Sequence, residues 1–213
     1  MIIAIDGPAA SGKGTLARRI AEHLDLALLD TGLLYRAVGL KTVRGGAAAN
    51  DVQEATKAAE TLDFSELDDP ELRADSAAAA ASKVGAIPTV RQALLDFQRT
   101  FAANPPQGRK GAVLDGRDIG TVVCPDADAK IFVTASVEVR AERRVKELRE
   151  RGLEAIHTRV LQEMKERDNR DASRAVSPLE PAQDAFVLDT GGLDPDAVFA
   201  EALNFIRSRC KCD

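Results

Sequence analysis

The chain has 213 residues, 45 % of them hydrophobic and 30 % charged, with a net charge of −5. That composition belongs to a folded chain of about one domain rather than to a disordered one. No apolar run approaches the roughly 20 residues that cross a bilayer, and an acidic chain with only seven Phe, one Tyr and no Trp makes a poor nucleic-acid-coating protein.

Residues 2–5 form a short apolar run ending in Asp6 and Gly7, the pattern of a buried parallel strand. From Lys13 onward Leu16, Ile20 and Leu24, with Ala17 and Ala21 beside them, repeat along one helical stripe. Residues 26–29 read as a second strand ending in Asp30, and 33–43 as a helix that stops at Gly45 and Gly46. Between residues 45 and 81 nine acidic side chains stand against two basic ones, and alanines fill 77–81. With so few large hydrophobes, this stretch reads as an appended lobe rather than as sheet; Pro105, Pro106 and Gly108 punctuate its end. Strands are predicted again at 112–114, 130–133 and 186–188. A long helical region interrupted at Gly152 covers 137–175, and a last helix starts near Pro195 with Val198, Ala202 and Ile206 on its apolar face. Strands alternating with helices imply an α/β fold with a parallel sheet covered on both faces.

Three cysteines do not make a disulfide framework. Cys124 reads as a small buried hydrophobe, and Cys210 with Cys212 forms a C-x-C lacking the further ligands of a structural zinc. Reduced thiols, no signal segment and no anchor lead to the expectation of a cytoplasmic protein.

Residues Gly7, Pro8, Ala9, Ala10, Ser11, Gly12, Lys13 match G-x-x-x-x-G-K and sit between a predicted strand and a predicted helix, the context that motif requires. Consecutive backbone N–H groups curl around a polyphosphate at a helix N-terminus, and the lysine adds a point charge on the β and γ oxygens. The position after the lysine is Gly14, so the hydroxyl arrives one residue later, on Thr15, which becomes the candidate for contact with phosphate or Mg²⁺. The signal points to ATP-type donors and is silent about the acceptor.

Arginines recur where predicted strands end and helices begin. Arg36 closes the segment that starts at Asp30 and Thr31, and Arg117 and Asp118 follow Asp115. Ligands gather at the carboxyl ends of the strands in doubly wound sheets, and a phosphorylated acceptor calls for several guanidinium forks. A third group, Arg167, Arg170, Asp171 and Arg174, has the i, i+3, i+4, i+7 spacing of one helix face. Alone it would read as a solvated charged face; its coincidence with the phosphate loop favours a site. From Arg140 to Arg174 eleven basic residues face eight acidic ones, the patch on which a nucleic-acid reading would have to rest. Other readings are a kinase for a different small acceptor, and a guanine-nucleotide switch, which lacks its N-K-x-D tetrad here.

The segments GPAASGKGT (7–15), LDTGLLYR (29–36), RQALL (91–95), LDGRDIGTVV (114–123), KIFVTAS (130–136) and KERDNRDASRAVSPL (165–179), in this order, resemble bacterial cytidylate kinases over nearly the whole chain. The resemblance implies a P-loop NTPase-type parallel sheet flanked by helices, with an inserted monophosphate-binding lobe and a short helical lid. The core would be 1–35, 109–140 and 176–213, the lobe 36–108 and the lid 141–175. It implies transfer of the ATP γ-phosphate to CMP or dCMP with Mg²⁺, by a cytoplasmic monomer that binds no nucleic acid. Arg36, Arg117 and Arg174 would grip the acceptor phosphate, Ser82, Arg91 and Asp118 would read the cytosine near Thr31, and Arg167 with Asp171 would hold the sugar. One or more of Arg140, Arg143 and Arg144 would enter from the lid, with Arg143 and Arg144 on the ATP side. Lys13, Arg117 and Arg167 form the expected catalytic set, and Thr15 with Asp115, through water, would place the metal. Thr31 stands where the family usually has Ser. The acceptor is already a dianion at neutral pH, so no base is needed, which suits the position of His23 and His157 outside every motif.

Overall fold

The computed structural model of the chain describes residues 1–210, apart from the side chain of Phe64; Cys212 of the C-x-C lies outside the described residues. Among these residues five strands, β1 (Ile2–Asp6), β2 (Ala27–Asp30), β3 (Ala112–Gly116), β4 (Ala129–Thr134) and β5 (Phe186–Asp189), form one parallel sheet in the order β2-β3-β1-β4-β5. From the central β1 the chain crosses to the edge strand β2, returns to β3 beside β1 and then crosses to β4 and β5 on the other side, so the loops part above the carboxyl end of β1, where such sheets bind ligands. The register sets Asp6 against Gly116 and Asp30 against Asp115, which gathers the strand-terminal carboxylates along one edge.

Alternation along the strands divides the core. Ile3 and Ile5 of β1 point to the face covered by α1 (Lys13–Leu24) and α8 (Pro195–Arg209), packing with Leu16, Ile20, Ile131, Leu188 and Ile206. Ala4 points to the other face, where Leu29, Leu114, Ile119, Cys124 and Ala102 meet. Cys124 is 8 % exposed there, as its apolar neighbours in the sequence suggested. The predicted boundaries shift by a residue or two: α2 (Thr31–Arg44) begins two residues early because the Asp30 carboxylate caps it, accepting from Gly32 N–H at 2.9 Å.

The acidic stretch is helical rather than sheet. It holds α3 (Val52–Glu60), α4 (Asp75–Val84) and α5 (Pro88–Ala103), whose Ala55, Ala80, Val84, Val90 and Leu94 pack with Leu34 and Val38 of α2 in a second core. The alanine run has a packing reason, since α2 and α4 cross where a Cβ on Gly39 would lie 2.8 Å from that of Ala80. Gly39→Leu should therefore cost about 1–3 kcal/mol by overpacking, a Tm lowered by about 3–10 °C in a scanning calorimeter for a chain this size. An unchanged Tm would mean that the helices can separate freely.

The helical region 137–175 is two helices, α6 (Val137–Glu150) and α7 (His157–Ala172), packed through Ala141, Val145, Leu148, Val160 and Met164. The break follows from Gly152, which takes a left-handed φ of 74°. Because α7 ends at Ala172, Arg174 lies beyond the helix rather than on its i+7 position. His23 packs edge-on against Phe199 at 5.4 Å, and His157 is exposed at the start of α7.

Candidate active site

The loop between β1 and α1 is shaped by what its glycines permit. A Cβ on Gly7 (φ 151°) would sit 2.1 Å from the Val133 carbonyl oxygen, and Gly12 caps α1 in a left-handed conformation (φ 92°). No side chain caps α1, so its first N–H groups stay available to an anion. The loop is braced from α6 and from the end of β5. Arg140 donates to the carbonyls of Ala9 (3.2 Å) and Ala135 (2.9 Å) and pairs with Asp168 at 2.6 Å. Thr190, after β5, donates from Oγ1 to the Ser11 carbonyl at 3.0 Å.

Two cavities meet at this helix end. One, of about 560 Å³, is lined by Ala10, Ser11, Gly12, Thr15, Arg19 and Arg143. The other, of about 210 Å³, is lined by Lys13 and Gly14 on the opposite side of the same turn. Lys13 Nζ lies 3.2 Å from Asp115 Oδ1, the carboxylate buried and the lysine half-buried. Position 14 is a glycine with cause, because a Cβ there would approach Asp115 Oδ2 to 3.2 Å. Burial and then Arg117 lower the Lys13 pKa, while burial, opposed by Lys13, raises that of Asp115.

The smaller cavity collects most of the expected acceptor residues: Thr31, Arg36, Arg91, Arg117, Asp118, Arg167, Asp171 and Arg174. Asp171, 1 % exposed, is their hub. It accepts from Arg174, lies 3.4 Å from Arg117 Nε, and stands 4.0 Å from Arg167 Nε. Six cationic side chains line the cavity against four carboxylates (Asp30, Asp115, Asp118 and Asp171). Positive charge is therefore in excess in this cavity. Burial, and next the neighbouring Arg117, push Arg167 down to about 10. The buried Nε atoms of Arg91, Arg167 and Arg174 have no hydrogen-bond partner among the described residues. Deeper in, Arg91 forms an ion pair with Asp118, donates to the Gly85 carbonyl at 3.0 Å, and lies 5.3 Å above the Tyr35 ring.

Two side chains lie away from their expected places. Ser82 is not brought to the cavity wall; its neighbour Ala81 is, and the Ser82 hydroxyl accepts from Arg170 at 3.0 Å. Arg170 thereby turns away from the face shared by Arg167 and Asp171. Arg144 does not reach the phosphate loop. It pairs with Asp75 at the start of α4 and with Glu147 at 2.6 Å, tying α6 to the helical lobe, whereas Arg143 does approach the loop and bonds Thr190 at 2.6 and 2.9 Å. The Thr31 hydroxyl is spent on the Asp115 carbonyl, 2.8 Å away.

The motifs did not point to Asp6, Tyr35 or Arg19. Arg19 is held over the Phe199 ring at 4.5 Å and bonds the Pro195 carbonyl at 2.8 Å beside the larger cavity. For Asp6 the available signal was a carboxylate closing a wholly apolar strand, a costly residue to bury without a task.

Donors for a metal ion are few here. Among the described residues no group of three or more His, Cys, Asp or Glu could hold an ion. One hydroxyl (Thr15) and one buried carboxylate, Asp115, whose Oδ1 lacks a hydrogen bond of good geometry, fit a cation that takes most ligands from phosphates and water, as Mg²⁺ does.

Comparison with known proteins places this geometry in context. The family model for cytidylate kinase matches residues 3–208. The cytidylate kinase of Paramagnetospirillum magneticum is 65 % identical, covering 98 % of both chains, and that of Rhodospirillum rubrum is 60 % identical, covering 97 % of each. Among solved structures, an uncharacterized protein from Eubacterium ventriosum superposes with a TM-score of 0.57 at 16 % identity, covering 98 % of this chain and 99 % of its own; likeness at that level concerns the fold alone.

Proposed function

The chain belongs to the cytidylate kinase family, and we infer that it transfers the γ-phosphoryl group of ATP to CMP and dCMP, giving ADP with CDP or dCDP. The observation that supports this reading best is the α1 N-terminus standing between two cavities, with partnerless guanidinium nitrogens on the acceptor side. A phosphate dianion held by Arg36, Arg117 and Arg174 supplies the missing negative charge, while Arg91 and Arg167 face the base and the sugar.

In this reading the loop amides hold the donor phosphates in the larger cavity, with Arg143 joining them from the lid, and Lys13 reaches the transferred phosphate from the smaller cavity on the other side of the same turn. Arg36, Arg117 and Arg174 hold the acceptor phosphate, and Arg167 with Asp171 holds the sugar. An acceptor oxygen bonds the γ-phosphorus as the bond to the β–γ bridging oxygen breaks, and ADP leaves with that electron pair. Lys13, Arg117 and Arg167 lie where charge accumulates, so alignment and neutralisation supply the catalysis. Thr15 and, through water, Asp115 would hold Mg²⁺, which would supply charge neutralisation on the donor phosphates. Residues 36–108 act as the acceptor lobe and 141–175 as the lid on the remaining core. Arg144 joins lid to lobe through Asp75, closing the cleft to water that would otherwise hydrolyse ATP. The reading takes the protein as a monomer that works in the cytoplasm, where ATP is supplied.

Base choice follows from the Arg91–Asp118 pair. Side by side it offers one acceptor and one fixed donor, matching the exocyclic amine and ring nitrogen of cytosine. Uracil presents the opposite polarity at both atoms and is repelled. Release of ADP from ATP, followed with CMP, dCMP, UMP, AMP and GMP in turn, tests the reading. CMP and dCMP are expected to be the preferred acceptors, and preference for a purine nucleotide would overturn it. Asp118→Ala should narrow the CMP/UMP ratio of kcat/KM by about tenfold to a hundredfold, one base-edge contact's worth.

A further inference from the structure

Asp118 precedes a single π-helical turn, residues Ile119–Val123, and occupies its N-cap position. The turn hangs from the Asp118 main chain, whose carbonyl accepts from Val122 N–H at 2.9 Å and Val123 N–H at 3.1 Å. An aspartate in that position ordinarily spends its carboxylate on the first N–H groups of its own turn. Asp118 does not; no side-chain cap is made, and its carboxylate pairs with Arg91 in the cavity.

The capping comes from another strand. Asp6, the last residue of β1, places Oδ1 2.8 Å from Ile119 N and Oδ2 2.8 Å from Gly120 N, each oxygen taking one donor. The fit depends on Gly120, where a Cβ would lie 3.4 Å from Asp6 Oδ2 and 3.2 Å from Lys130 Cδ. Asp6 is 6 % exposed and lines neither cavity. Burial raises its pKa to about 7 even against these two bonds, so the carboxylate is kept at a cost.

We propose that Asp6 is a positioning residue for base recognition: by capping the 119–123 turn from the neighbouring strand, it frees the Asp118 carboxylate to stand beside Arg91 and meet the cytosine edge. The proposal rests on the reading of Asp118 given above. With the cap removed, Asp118 is the nearest carboxylate able to replace it and turns back toward its own turn.

Asp6→Asn preserves size but leaves one acceptor oxygen for two N–H donors, one of which is then unpaired. The expected result is a KM for CMP raised about tenfold, the range of a single buried donor left without a partner, and a CMP/UMP ratio of kcat/KM lowered about tenfold. KM for ATP should stay within about threefold. In the Asp118→Ala background Asp6→Asn should not change the CMP/UMP ratio further, because the two act on one contact. A purely structural role for Asp6 would lower Tm and the active fraction but leave KM for CMP and the CMP/UMP ratio alone, and that result overturns the proposal. Asp6→Glu, which keeps both oxygens but displaces them, is the second variant and should lower the same ratio. If neither variant folds, the carboxylate serves stability alone and the proposal falls. The wild-type CMP/UMP ratio and Asp118→Ala by itself test the underlying reading separately.

Discussion

Lys13→Ala is expected to lower kcat by about a thousandfold while changing KM for CMP little. A preorganised cation aimed at oxygens that gain charge in the transition state is worth about a hundred- to thousandfold per donor. Lys13 is more secluded than most: its side chain is 14 % exposed and held against Asp115, so little water replaces it. The variant should still fold. Removing one cation from a cavity with six of them against four carboxylates leaves it less unbalanced, and Asp115, whose pKa burial has already raised, can take up a proton. Lys13→Arg should rescue poorly, because a planar fork does not occupy the place of a compact ammonium. Steady-state kinetics with a Tm control decide this. A drop confined to KM would show that Lys13 binds ground state and transition state alike.

Asp171→Ala is expected to be the most damaging single change on the acceptor side, lowering kcat/KM by about a hundred- to ten-thousandfold. Its carboxylate is the hub against which Arg174 and Arg117 are set, with Arg167 close by. Deleting one partner from a buried ionic cluster costs about 3–5 kcal/mol, largely because the charges left behind are uncompensated. Here those charges are guanidinium groups whose mutual repulsion already lowers the pKa of Arg167, behind burial as the first cause. They should splay apart, and the acceptor phosphate would lose its template. Added phosphate or sulfate should restore Tm in Asp171→Ala more than in the wild type, since an anion substitutes for the missing carboxylate. A variant with near-normal kinetics would show that the arginines are held by packing alone.

The parts of the fold that were legible in the sequence depend on the backbone. The apolar strand runs, the stripe from Leu16 to Leu24 and the phosphate loop are local, and each fell within a residue or two of its place. The arginines at the strand ends became interpretable through family resemblance, since no spacing in the chain says that Arg36, Arg117 and Arg174 meet across the sheet. What escaped depends on side-chain direction and tertiary pairing. Arg140, Arg143 and Arg144 lie within two turns of one helix, yet one braces the loop, one reaches Thr190 and one turns to Asp75. The helix-face reading of residues 167–174 failed at Arg170, which Ser82 captures, while Arg174 joins Arg167 and Asp171 from just beyond the helix end. Asp6 caps a turn 113 residues away, a relation with no trace in local pattern.

All of this depends on donor and acceptor lying end to end across the first turn of α1. The most direct test is an adenosine and a cytidine joined 5′ to 5′ through five phosphates, titrated into the protein and used as an inhibitor. Linking two adjacent ligands multiplies affinity about a hundredfold or more when one molecule spans both sites. The account predicts one molecule bound per chain, competition with both ATP and CMP, and a Kd at least about 100-fold below that of either nucleotide. Competition with only one substrate, or two molecules bound per chain, would contradict it.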